Sequence, residues 1–133
     1  SAEPALVLSP PAADDAGTDG LLTASEVASL RLGADWVILS ACNTAAGEEA
    51  GSEAYAGLAQ AFLYAGARSM LVSHWPLRDD AAAFLTVRAV RAASGGASKA
   101  EALRRAQLAL IADRSIADNA DPFIWAPFVL LGN

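Results

Sequence analysis

Residues 36–42 read Trp36-Val37-Ile38-Leu39-Ser40-Ala41-Cys42, and this stretch decides the fold. From Trp36 to Ala41 the run is largely apolar and lacks the alternation of a half-exposed strand. It therefore reads as a β-strand covered on both faces, running directly into Cys42. Residues 69–73 (SMLVS) form a second run of the same kind. Between the two, Ser52 can cap a helix over residues 53–65, where Tyr55, Leu58, Ala59, Phe62 and Leu63 recur at the spacing of one buried face. Gly66 can stop that helix. Buried strands with a helix between them point to parallel pairing.

Upstream, residues 5–9 (ALVLS) are a short apolar run ended by Pro10-Pro11, a strand stub, and residues 10–20 form a loop or hairpin tip. Thr23-Ala24-Ser25-Glu26 fits a capping box, so a short helix should follow and end near Gly33. Downstream, Asp79 or Asp80 can cap a helix that ends at Gly95-Gly96. Ser98-Lys99-Ala100-Glu101 is a second capping box, opening a helix to about Asp113 with Leu103, Ala106, Leu110 and Ile111 on its apolar face. Residues 113–122 form a polar loop. Residues 123–131 (FIWAPFVLL) read as a closing strand, with Pro127 marking an edge position or an irregularity. The order β-α-β-α-β-α-α-β predicts an α/β domain: a mainly parallel sheet flanked by helices, one domain over residues 1–133.

Composition supports a packed domain. The chain has 133 residues, 54% hydrophobic and 18% charged, which excludes wholesale disorder. A net charge of −6 argues against nucleic acid and anionic membrane as main partners, because phosphate binding needs clustered Lys and Arg. The charge is uneven: residues 1–60 carry nine acids against Arg31 alone, leaving a small positive excess in the remainder. A solvated acidic surface explains this, and so does attraction of a basic substrate. Cys42 is the one cysteine, so no disulfide forms within the chain. No apolar stretch reaches the ~20 residues of a membrane span, and no signal peptide opens the chain. These features predict a cytoplasmic protein fragment or excised domain.

Ligands in open α/β sheets gather outside the carboxyl ends of the strands. Two residues stand at such ends: Cys42 after the first buried strand and His74 after the second. A thiolate beside an imidazolium or a helix N-terminus is a strong nucleophile, but a free Cys is as often a small buried apolar residue. His74 is open to the same two readings, catalytic group or satisfied strand-end histidine.

The segment Leu39-Ser40-Ala41-Cys42-Asn43-Thr44, with its surroundings, resembles a CHAT domain, a caspase-like cysteine peptidase family often found with TPR repeats. The resemblance begins at residues 19–27 (DGLLTASEV) and continues through residues 61–69 (AFLYAGARS), Trp75-Pro76 and Ala102-Leu103-Arg104. It closes at residues 125–130 (WAPFVL). No single piece is strong; their common order and spacing make the likeness specific. It implies a caspase-like fold and peptide-bond hydrolysis by a Cys–His dyad, with Cys42 as nucleophile and a His that holds the thiolate and protonates the leaving amine. No metal or organic cofactor is implied. The implied partners are a protein or peptide substrate and TPR or other regulatory domains in a parent protein.

The chain departs from the family pattern in two places. In such domains the His ends the strand before the Cys strand, usually in a His-Gly step, whereas His74 is the sole histidine here and follows Cys42. Either the chain is the C-terminal portion of a CHAT domain, lacking its N-terminal strands and its base, or His74 substitutes. Relatives more often carry Leu at this position, which makes His74 a pocket-wall, substrate-binding residue and favours the first explanation. The second departure is Ala45, where the family commonly has Gly. Residues 75–80 (WPLRDD) also resemble the separase segment, in which an aspartate after the Trp recognises a basic side chain. Asp79 is the substrate-binding candidate on that likeness, and a helix N-cap on the plainer reading.

The leading expectation is thus a cysteine endopeptidase fragment, inactive alone, from a parent that cleaves partner proteins after a basic residue. A strand edge left bare by missing neighbours would favour self-association. The rival is a non-catalytic interaction module of caspase-like fold. A flavodoxin-like phosphate binder is weaker, since neither strand-to-helix loop is Gly-rich.

Overall fold

The computed structural model describes residues 3–9, 19–40 and 51–132. Their elements run β1 (Ala5–Val7), β2 (Leu21–Thr23), α1 (Ala24–Ser29), β3 (Val37–Leu39), α2 (Gly51–Tyr64), β4 (Ser69–Ser73), α3 (Asp79–Ser94), α4 (Lys99–Ala112), α5 (Pro122–Trp125) and β5 (Phe128–Gly132). The fold is mixed α/β, with strands in two small sheets. The described residues fall into two compact units, one from residues 3–9, 19–35 and 51–68, the other from 36–40 and 69–132.

In the first unit β1 and β2 pair antiparallel, Ala5 opposite Thr23 and Val7 opposite Leu21. The Asp19 carboxylate accepts the Leu21 N–H at 2.9 Å, and Gly20 takes a φ of 75° that suits its lack of a side chain. Thr23 then caps α1. Its hydroxyl accepts the Glu26 N–H, and the Glu26 carboxylate accepts the Thr23 N–H at 2.8 Å, so the expected capping box is complete. In α2, Leu58, Ala59 and Phe62 are buried as the periodicity predicts, joined by Ala61 and, just past the helix end, by Ala65. Leu63 is 36% exposed: it lies at the margin of the stripe, and small alanines fill the face instead. The helix closes in a Schellman arrangement. Gly66 N–H donates to Leu63 O and Ala67 N–H to Phe62 O, both at 3.1 Å, with Gly66 at φ 107°.

The second unit holds a sheet of order β3-β4-β5. β3 and β4 are parallel, Val37 opposite Met70 and Leu39 opposite Val72. β5 runs antiparallel to β4, so parallel pairing is confined to the first two strands. All of β4 is buried, which accounts for the unbroken SMLVS run, whereas β3 at the sheet's margin is only half-buried. Leu71 of β4 packs in one core with Ala81, Leu85 and Ala89 of α3, Leu103, Ala106 and Leu110 of α4, Ile124 of α5 and Phe128 of β5. Leu85 and Leu110 are fully buried, each contributing about 1.5–3 kcal/mol. Ala81 and Ala89 of α3 and Ala102 and Ala106 of α4 are all buried.

Two expectations change here. Residues 123–131 do not form one strand: Asp121 caps a short helix by accepting the Phe123 N–H at 2.9 Å, Pro122 occupies its first turn, and β5 starts only at Phe128. Pro127, fully buried, precedes the strand and so removes no ladder hydrogen bond. The second capping box is half formed. Ser98 accepts the Glu101 N–H, but the Glu101 carboxylate turns to Arg104 and Arg105.

Candidate functional site

The parallel register places the carboxyl ends of β3 and β4 side by side, with Leu39 opposite Val72. That edge is where an α/β sheet presents ligand-binding groups. From β3 the chain passes through Ser40 towards Cys42, which lies outside the described residues, as do Asn43, Thr44 and Ala45. From β4 it passes into His74, whose side chain is exposed and whose N–H donates to Pro127 O at 2.9 Å.

Residues 74–78 are strapped to the segment leading into β5. Besides the His74 bond, the Trp75 indole N–H donates to Phe123 O at 2.8 Å while its ring stacks on Phe123, centroids 5.6 Å apart. The Arg78 guanidinium donates to Ala117 O at 3.2 Å. Trp75 is half-buried and packs on Phe123. These bonds fix the direction in which the chain leaves β4 and the point at which α3 begins.

Asp79 is the first residue of α3 and is exposed. It is not the N-cap: Arg78 occupies that position, without a side-chain cap. Two of the Arg78 nitrogens engage Asp80, at 3.1 and 2.5 Å. The Arg78 guanidinium, and with it the Ala81 N–H, holds the Asp80 carboxyl below its ordinary pKa, and Asp80 in turn raises that of Arg78. Arg78 is thereby committed to Asp80. The Asp79 carboxylate has no hydrogen-bond or ion-pair partner among the described residues, at a helix start where negative charge is stabilised. The Arg78–Asp80 pairing was not foreseen from the sequence, although it is legible as a basic residue two before an acidic one at a helix boundary.

His74 and Asp79 thus bracket one ordered stretch beyond β4. Among the described residues no cluster of His, Cys, Asp or Glu is placed to hold a metal ion, and no helix is long and apolar enough to cross a membrane. The described residues offer an exposed imidazole just after β4 and an exposed carboxylate at the start of α3.

The sequence matches the CHAT domain family over residues 1–133, the whole chain. No curated protein sequence matches it.

Proposed function

The chain belongs to the CHAT domain family, and on that premise we propose that it carries the nucleophile of a caspase-like cysteine endopeptidase, Cys42. The observation that supports this most is the parallel β3–β4 pairing: the Cys42 segment issues from the carboxyl end of β3, beside the end of β4 that leads to His74 and Asp79. The thiolate attacks the scissile carbonyl, backbone N–H groups stabilise the oxyanion, and an imidazolium returns the proton to the leaving amine.

The sole histidine follows the nucleophile rather than preceding it. In the reading we favour, the base belongs to residues of a parent protein upstream of this sequence, and the isolated chain is inactive. His74 then lines the substrate pocket, and the unpaired Asp79 carboxylate receives an Arg or Lys side chain before the cleaved bond. Partner proteins in the cytoplasm are the substrates, and TPR or similar domains regulate access.

The test is the alkylation rate of Cys42 against pH, in this chain and in His74→Ala. A thiol titrating near or above the ~8.5 of free cysteine in both supports an external base. Depression well below that value, abolished by His74→Ala, makes His74 the base and overturns the external one. Restoring the upstream residues should then give cleavage after basic residues that Cys42→Ala abolishes. If no cleavage appears, the chain is an interaction module.

A further inference from the structure

The groove between α3 and α4 shares no residue with the stretch from His74 to Asp79 and has no part in the chemistry above. It is an open groove of about 470 Å³, within the volume range of small-molecule sites. Its lining includes apolar Phe84, Val87 and Ala109 together with Arg88, Arg91 and Arg105. Val87 is 47% exposed, and nearby Val90 and Leu108 are also exposed, so apolar surface continues from the groove onto both helices. The charge is equally uneven. Residues 81–112 hold Arg88, Arg91, Lys99, Arg104 and Arg105 against Glu101 alone, in a chain whose net charge is −6.

The three lining arginines differ in what already engages them. Arg105 pairs with Glu101 at 2.8 Å, and Arg88 lies over the Phe84 ring at 4.4 Å and helps to hold the Asp113 carboxyl below its ordinary pKa. Arg91 has no acidic partner among the described residues. An apolar lining that also carries guanidinium groups is complementary to apolar side chains flanked by carboxylates.

We propose that the α3–α4 groove docks an acidic amphipathic segment of a partner protein. Apolar side chains of the segment meet the apolar lining at Phe84 and Ala109, and its Asp or Glu residues meet Arg88 and Arg91. An extended phosphate polymer is a poorer match, because three arginines among apolar lining residues do not form a continuous basic track and the rest of the chain is acidic.

The probe is a fluorescent amphipathic peptide of about fourteen residues, Leu on one face and Glu on the other, titrated by anisotropy. Binding should weaken about tenfold in Arg91→Glu, and comparably in Val87→Ser, with circular dichroism unchanged. A Lys-for-Glu peptide should bind Arg88→Glu/Arg91→Glu better than the wild-type chain. No binding of the Glu peptide, or binding indifferent to these exposed substitutions, overturns the proposal. So does tighter, Arg91-dependent binding of single-stranded RNA or of anionic phosphatidylserine vesicles. A second copy as occupant is the remaining outcome against it: sedimentation would show a dimer that Arg91→Glu dissolves.

Discussion

The Trp75 indole donates its N–H to the Phe123 carbonyl at 2.8 Å while stacking on the Phe123 ring, and so ties the stretch after β4 to the segment before β5. The two contributions are separable, because the acceptor is main chain and the stack is side chain. Trp75→Phe keeps a ring on Phe123 and loses the hydrogen bond; Phe123→Ala does the reverse. Each should lower unfolding stability in urea by about 1 kcal/mol. If Trp75→Phe leaves the urea midpoint unchanged, the hydrogen bond contributes nothing and the strap rests on stacking alone.

Glu101 gives a pH signature. Arg104 at 2.7 Å and Arg105 at 2.8 Å hold its carboxyl pKa down to about 2, from 4.5. Because the folded value is the lower one, the folded chain releases this proton more readily than the unfolded chain does. The stabilisation is therefore fully present above the unfolded pKa and is lost as pH falls through about 2. Glu101→Gln should destabilise the chain at neutral pH, and the gap from wild type should narrow steadily below pH 4.5. Carboxyl NMR should place the Glu101 midpoint well under that of an unpaired glutamate. A gap that stays constant down to acid pH would show that the pair does not act through charge.

Gly66 closes α2 at φ 107°, and a Cβ there would collide with the Leu32 carbonyl oxygen. Two costs coincide: a left-handed backbone that side chains resist, and a contact with main chain that cannot swing aside. Gly66→Ala should lower stability by about 1–3 kcal/mol, measured by thermal unfolding. Gly33, whose added Cβ would meet nothing within 4 Å, is the matched control, and Gly33→Ala should change the midpoint little. Equal losses at both would mean that the closing turn of α2 tolerates other geometries.

The strands, helices and caps with strong local chemistry were legible from the sequence. Thr23 and Glu26 announce α1, and the unbroken run 69–73 announces the buried central strand. β2 was not, because a strand of three residues offers no period to detect and Leu21–Thr23 sits directly before a cap. α5 was misread because a continuous apolar run does not separate a helical turn from a strand. The available signal was Asp121-Pro122, a capping residue followed by proline at the first helical position. Of the candidate site, the placement of His74 and Asp79 after a sheet strand followed from SMLVS. The partner of Arg78 did not, since side-chain pairing over two residues depends on where α3 begins. Cys42 lies outside the described residues, so its part in the site rests on family membership and on the strand that leads to it.

The β3 edge bears on the oligomeric state. β3 is hydrogen-bonded to β4 on one side and has no other strand partner among the described residues, and its Val37, Ile38 and Leu39 are only half-buried. Strand edges of this kind present unpaired N–H and C=O groups to any chain able to supply a strand, and half-buried apolar side chains add an incentive to cover them. We therefore expect this chain, in isolation, to self-associate through β3 as concentration rises, with sedimentation velocity showing a reversible shift to a larger species. Salt should not dissolve that species, since backbone pairing and apolar cover hold it rather than charge, whereas docking at the arginine-lined groove weakens with salt. A chain that remains strictly monomeric across the concentration range would mean that the β3 edge is protected in this fold, and the argument for missing neighbouring strands would lose its physical basis.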